Sequence, residues 1–280
     1  MNIRNSPLAP AVVDPKPDAV RCVPVVGTFV AAVSISRVLA IFENWIDDQR
    51  DHIVILRDVH GIMRARLESE TRIAQEAADL IAPDGMPIVW LLRLAGLHEA
   101  SRVCGIDLLP AACRYGLTRG WRHFLYGAGP GVGETLAMQM KAKYPGTQIV
   151  GTLCPPFRPL TPGEDAAVCA EIRAARPHIL WVSLSTPKQD IWMTEHRGRC
   201  GNVVMVGVGG AFEINAELIR RAPHWMRTRG FEWLYRLTQE PARLWGRYLR
   251  YIPLFLVLAS FEFFRRRSGL AKVLDNSSRT

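Results

Sequence analysis

The chain holds 280 residues, 49% of them hydrophobic and 22% charged, an ordinary globular balance that excludes collagen-like, coiled-coil and disordered proteins and fits one or two domains. The formal net charge is +9, and it sits late in the chain, where residues 220–280 carry 13 Lys+Arg against 4 Asp+Glu. Cys22, Cys104, Cys113, Cys154, Cys169 and Cys200 lack short spacings, so they read as reduced thiols and not as a disulfide framework or zinc site.

Residues 1–22, with Pro7, Pro10, Pro15 and Pro17 and no periodicity, read as a disordered lead-in. Neither a secretory signal nor a bilayer-spanning run is expected. A strand is predicted near Val23–Val26, a helix over Ser34–Gln49 and a buried strand over His52–Leu56. Helices follow at Val59–Leu67 and Glu70–Asp79, then a turn across Ile81–Met86 punctuated by Pro83 and Gly85. A helix covers Pro87–Ala95, and another starts at Asp107 as N-cap and ends near Gly116. Beyond residue 122, strands at His123–Tyr126, Gln148–Thr152, His178–Leu184 and Val203–Val208 alternate with helices at Val132–Tyr144, Gly163–Ala174 and Pro187–His196. The alternation predicts an α/β domain over residues 23–220, a Rossmann-like parallel sheet flanked by helices, with ligands at the carboxyl ends of the strands. Residues 221–280 form a helical, basic C-terminal appendage.

Three loops at these strand ends suit an anion. Gly127–Gly133 (GAGPGVG) carries Gly127, Gly129 and Gly131 straight into a helix start, where backbone N–H groups and positive potential are available; glycines there also serve packing alone. The loop is not GxGxxG, because Val132 and Glu134 stand where glycine is required, and GxxxxGK[ST] is absent, so dinucleotide and P-loop readings weaken. Ser183–Asp190 (SLSTPKQD) brings Ser185, Lys188 and Gln189 to a helix start, with Pro187 at its first position. Gly207–Phe212 (GVGGAF) adds Gly207, Gly209 and Gly210. Together they describe a polar cleft for a diphosphate-like group.

Asp84 lies in a Pro-Asp-Gly turn between apolar segments. That is ordinary turn chemistry, or a general base on an apolar shelf that strengthens its hold on a proton. Arg102 reads as a surface charge or as a bidentate clamp on phosphate.

In the tail, Arg236, Arg243, Arg247 and Arg250 follow helical spacing beside an apolar stripe of Leu244, Tyr248, Tyr251 and Phe255. Tyr251–Phe264, interrupted by Pro253 and Glu262, is closed by Arg265, Arg266 and Arg267. It is too short to span a membrane and suits the headgroup region, with Trp225, Trp233 and Trp245 as interfacial anchors. Nucleic acid is the competing partner, through phosphate contacts and base stacking; the aliphatic run at Pro253–Ala259 argues for an anionic membrane instead.

Several of these segments resemble the WecG/TagA/CpsF glycosyltransferases of bacterial surface-polysaccharide assembly. The matching pieces are Ala82–Met86 (APDGM), Arg102–Leu108 (RVCGIDL), Tyr126–Val132 (YGAGPGV), Tyr144–Gly146, Ile149–Thr152 (IVGT), Leu184–Gln189 (LSTPKQ), Val206–Phe212 (VGVGGAF), Arg221–Met226 (RAPHWM) and Glu232–Leu244 (EWLYRLTQEPARL). They run in family order over roughly residues 24–250. The resemblance implies an inverting transferase that passes a sugar from a UDP-sugar to an undecaprenyl-diphosphate-linked acceptor, peripheral on the cytoplasmic face of the bacterial membrane. It implies Asp84 as the base, Arg102 beside the departing diphosphate, and Gln189 as a polar residue of the same site. Gly127, Gly129, Gly131, Gly151, Ser185, Lys188, Gly207, Gly209 and Gly210 would bind substrate or nucleotide, and the appendage would dock on the membrane.

One position departs from the family pattern: Asp58-Val59-His60 stands where many members carry Thr-x-Asn. The Val-His-x-x-Met form resembles xanthan-type glucosyltransferases, which implies a possible glucose donor. His60 reads as a sugar contact, a neighbour of Asp84, or a helix-start histidine. No Asp-x-Asp ends a predicted strand, since Asp47 and Asp48 fall on a helix; no metal or other cofactor is expected, and Arg102 with helix N-termini takes the cation's part. Two other readings stand beside this one: a Rossmann-type nucleotide-dependent oxidoreductase, and a non-catalytic nucleotide-binding module on membranes.

Overall fold

Six parallel strands, the inner ones buried on both faces, build the centre of the molecule. The computed structural model describes residues 20–239 and 241–277, with the backbone alone at 228, 243, 247 and 266–277. An antiparallel hairpin comes first, β1 (Cys22–Val25) and β2 (Thr28–Ala31), turning through Val26 and Gly27 at φ 51° and 85°. There follow α1 (Ile35–Asp47), β3 (His52–Arg57), α2 (Val59–Leu67), α3 (Ser69–Glu76), β4 (Leu80–Pro83), α4 (Met86–Leu94) and α5 (Gly105–Gly116). The next run is β5 (Arg122–Gly127), α6 (Val132–Lys143), β6 (Gln148–Leu153), α7 (Pro162–Ala175), β7 (Ile179–Ser183), α8 (Lys188–Glu195), β8 (Val204–Gly207) and α9 (Ala211–Asn215). The tail forms α10 (His224–Thr228), α11 (Glu232–Gln239) and α12 (Pro241–Ser277).

The sheet order is β4-β3-β8-β7-β5-β6, every pair parallel. The two-residue side-chain period sends alternate residues to opposite faces. Val54, Leu56, Leu125, Trp181 and Val206 pack with α1, α5 and α6, whereas Ile53, Ile55, Phe124, Tyr126 and Met205 pack with α7 and α8. A parallel sheet covered on both faces is the α/β architecture expected from the alternation.

Several local expectations are corrected. Residues 1–19 of the expected lead-in lie outside the described residues, and Cys22 already belongs to β1. Residues 81–83, read as turn, are strand: β4 pairs with β3 alone at the sheet edge, where its last residue, Pro83, can lack an N–H, and the Pro83 carbonyl accepts from Val103 N–H at 2.8 Å. Asp107 is not the cap of α5; Cys104 is, and Asp107 lies in the first turn. Pro187 caps α8 and is not its first residue.

A third cluster ties the last helix to the front of the chain: Phe255 and Ala259 of α12 pack with Ile62, Met63, Ile88, Leu92 and the hairpin. The stripe read from Leu244 to Phe255 therefore faces the body, with Leu244 and Phe255 buried. Glu262, which interrupts the apolar run, accepts the N–H of Val26 at 2.5 Å. Among the described residues no helix is long and apolar enough to cross a membrane.

Candidate active site

A cleft of about 720 Å³ opens at the carboxyl ends of β3, β4 and β8 and is closed on its far side by the tail. Asp84 and Arg102 both line it. Two backbone bonds bring them there. Asp84 N–H donates to Arg57 C=O at 2.8 Å, and Val103 N–H donates to Pro83 C=O at 2.8 Å, so each functional side chain is adjacent to a residue fixed at the end of β4.

Burial, and then the charge of Asp58, raise the Asp84 carboxyl to about 7; Arg102 and Arg236 oppose that rise. A group poised there changes protonation near neutrality. Arg102 faces Asp84 while held by two other carboxylates: Nη1 donates to Glu232 Oε2 at 2.5 Å and Nη2 to Asp107 Oδ2 at 3.3 Å. Arg221 donates to both Asp107 oxygens, at 2.5 and 2.7 Å, and stands 3.6 Å from Glu232 Oε1. The four side chains thus form a ring of alternating charge joining α5 to the tail. Burial works against the charge of Asp107, but bonds from Arg221 and from the Cys104 thiol, with Arg102 nearby, hold it down at about 2.

His60, Ser185, Gln189, Gly207, Gly209 and Gly210 also line the cleft. Gln189 is buried, and its Oε1 accepts Gly209 N–H at 2.9 Å; a Cβ at Gly207 would lie 2.8 Å from Gln189 Nε2. Gln189 therefore shapes the glycine turn after β8. His60 meets Tyr251 edge-on, ring centroids 5.3 Å apart.

Gly127, Gly129, Gly131, Gly151 and Lys188 are not brought into this cleft wall. The loop after β5 lies beyond β7 and β8 in the sheet. Gly127, at φ 105°, permits backbone contact, since a Cβ would stand 2.5 Å from Ser183 O. Gly151 packs beneath the Phe124 ring, and the Lys188 ammonium sits 5.3 Å from the centroid of Phe157. The wall includes residues not read from the sequence as site residues: Arg220, Arg221, Glu232 and Tyr235, together with Asp58, noted there only as a departure from the family pattern, and Arg236, read as part of the basic stripe of the tail. The signal of the tail residues was weak, one acid and several arginines in a segment rich in arginine.

Among the described residues one set of groups has metal-ligand proximity, Asp165, Cys169 and His196. None lines the cleft, and Asp165 is engaged with His196 and Arg199.

A family model described as the glycosyl transferase WecG/TagA/CpsF family matches residues 23–269. Two curated relatives, from Bacillus spizizenii and Bacillus subtilis, both named N-acetylglucosaminyldiphosphoundecaprenol N-acetyl-beta-D-mannosaminyltransferase, are 31% and 30% identical over 173 residues. The match covers 62% of this chain and 65% of each relative, less than two thirds of their length.

Proposed function

Because the chain belongs to the WecG/TagA/CpsF glycosyltransferase family, we propose that it moves a hexose or N-acetylhexosamine from a UDP-sugar to a saccharide on undecaprenyl diphosphate. The setting is assembly of a bacterial surface or extracellular polysaccharide. The observation that carries the reading is Asp84, raised to about 7, facing Arg102 across one cleft. The relatives' names supply the acceptor class, a polyprenyl-diphosphate-linked N-acetylglucosamine.

In the proposed reaction the acceptor hydroxyl attacks the anomeric carbon from the face opposite the diphosphate. Its proton passes to the Asp84 carboxylate, the carbon–oxygen bond to the diphosphate breaks, and UDP leaves with that electron pair, inverting the centre. A positioned base contributes about 10²–10⁴-fold. Charge developing on the diphosphate is met by Arg102, with Arg221 and Arg236 in the same wall; no metal is needed for that role. Ser185 and the turn at Gly207–Gly210 are assigned to the sugar nucleotide, and His60 to the sugar.

Peripheral docking on the cytoplasmic face of the membrane is supported by the outer surface of the tail. Trp245, Leu249, Phe261 and Phe264 are exposed there, beside exposed Arg250 and Arg265, and the half-exposed Trp233 and Leu256 reach the cleft. The side chains of Arg243, Arg247, Arg266 and Arg267, named for the same role, lie outside the described set. An apolar helix face rimmed by arginine suits an anionic leaflet, and nucleic acid is not proposed as a partner.

The test is a panel of UDP-sugars offered with a synthetic polyprenyl-diphosphate N-acetylglucosamine. Turnover with one donor, dependent on the lipid acceptor, is expected, along with thermal stabilisation by UDP and not by NAD(P). Stabilisation by NAD(P) alone, without transfer from any donor, overturns the reading.

A further inference from the structure

Asp58 and Asp84 leave neighbouring strands at the same level. The β3–β4 register sets Arg57 opposite Pro83, so the next residue of each segment emerges at the carboxyl edge of the sheet beside the other. The two loops approach closely, and a Cβ at Gly85 would lie 3.7 Å from Asp58 Cα. Asp58 is held in place as the N-cap of α2, its Oδ1 accepting Gly61 N–H at 2.7 Å; a helix N-terminus favours the ionised carboxylate.

The groups facing Asp84 are Asp58 from the loop after β3, Arg102 from the segment before α5, and Glu232 and Arg236 from α11. Cys104 stands beside them, and His60, Tyr248 and Tyr251 line the same cleft. Glu232 is paired with Arg102 and Arg221, and Asp58 acts on Asp84 from a helix cap.

We propose that Asp58 is a positioning residue for Asp84, fixing the pH window in which Asp84 takes a proton; the inference rests on the reading of Asp84 as the base. Two carboxylates held side by side resist carrying two charges at once. The negative charge that Asp58 brings to this edge raises the Asp84 carboxyl, so Asp84 keeps its proton to a higher pH than burial alone would give. The departure from Thr-x-Asn at this position thereby acquires a chemical consequence.

The test uses the full chain with carbon-13 in its aspartate carboxyls, the Asp84 signal being identified by its loss in Asp84→Asn. Asp58→Asn keeps a good N-cap and removes the charge. Its Asp84 midpoint is expected to fall by about one pH unit, and Asp58→Glu is expected to restore it. The acid limb of kcat/KM should move with the midpoint, which loss of packing alone would not produce. An unmoved midpoint in folded Asp58→Asn overturns the proposal. If that variant fails to fold, Asp58→Ser, also a capping residue, decides by the same criterion. Absence of sugar transfer by the unsubstituted chain counts against the proposed function, and the titration still decides the coupling.

Discussion

Glu232 on α11 and Arg102 ahead of α5 are 130 residues apart in the chain and meet at 2.5 Å. With Asp107 and Arg221 they form a ring in which each carboxylate lies between two guanidiniums. Glu232→Gln keeps the shape and removes one charge from a largely enclosed network. The expected loss is about 1–3 kcal/mol, read by denaturant unfolding. Limited proteolysis between α10 and α11 should quicken as the tail loosens; an unchanged cleavage rate would show that the ring does not hold it.

Removing the Asp84 carboxylate should separate chemistry from binding. Asp84→Asn is expected to lower kcat by about 10²–10⁴-fold while UDP affinity, measured by calorimetry, stays within about twofold. Full activity in that variant would remove Asp84 from the mechanism.

The raised Asp84 carboxyl also has a stability signature. Its ordinary value is 3.8, and burial followed by the Asp58 charge carries it to about 7 in the fold. Between those limits the folded state binds more protons than the unfolded one, so this group's contribution falls as pH rises through the window. Asp84→Asn escapes that loss. It should be the more stable protein near pH 8, by about 1–2 kcal/mol because the carboxylate still reaches cleft water, and the gap should close toward about pH 4. Thermal melts of both proteins across this range are the check. Activity follows the opposite course, rising as Asp84 ionises.

Arg57 and Asp190 make a fully enclosed ion pair behind the cleft, Nη1 to Oδ2 at 2.7 Å. Arg57 Nε also donates to Gln75 at 2.8 Å, and Gln75 Nε2 to Thr28 Oγ1 at 3.0 Å. Burial pushes the Asp190 carboxyl up against the pull of Arg57. Asp190→Ala would strand a buried guanidinium, at an expected cost of about 3–5 kcal/mol, whereas replacing both partners by apolar residues should cost less. Chemical denaturation of the single and double variants distinguishes these outcomes.

The outer face of α12 should govern lipid partition. Changing Leu249, Phe261 and Phe264, all exposed, to Gln is expected to weaken binding to anionic vesicles by about tenfold or more per residue, with little change in Tm. Vesicle co-sedimentation reads the effect; unchanged partition would show that another surface docks.

Much of the sheet was legible because β5, β7 and β8 are apolar runs buried on both sides and separated by helix-length segments. β4 was hidden by its own residues. Leu80–Pro83 is four residues long, ends in proline and has one neighbour, so turn chemistry looked the better explanation. β2 was hidden by its turn, which puts the β-branched Val26 at φ 51°, where Asn or Gly is usual. Around the cleft, Asp84 and Arg102 were visible as residue types, but the Val103–Pro83 bond that brings them together carries no side-chain signal. The Gly127–Gly133 loop carries a second demand beside the one read from its glycines: at Gly127 the backbone touches Ser183, a packing contact that a glycine-rich turn does not distinguish from an anion cradle. Glu232 reads in the sequence as one acid in a basic tail, and only the fold sets it between Arg102 and Arg221.

The bond from Val26 N–H to Glu262 sets an order of events during synthesis. Residue 26 leaves the ribosome with its hairpin turn still waiting for an acceptor that is translated 236 residues later. Tyr251 and Phe255, which pack against the front of the chain and line the cleft, belong to the same late segment. A nascent chain therefore offers reactants an unfinished chamber until the residues of this helix have been added.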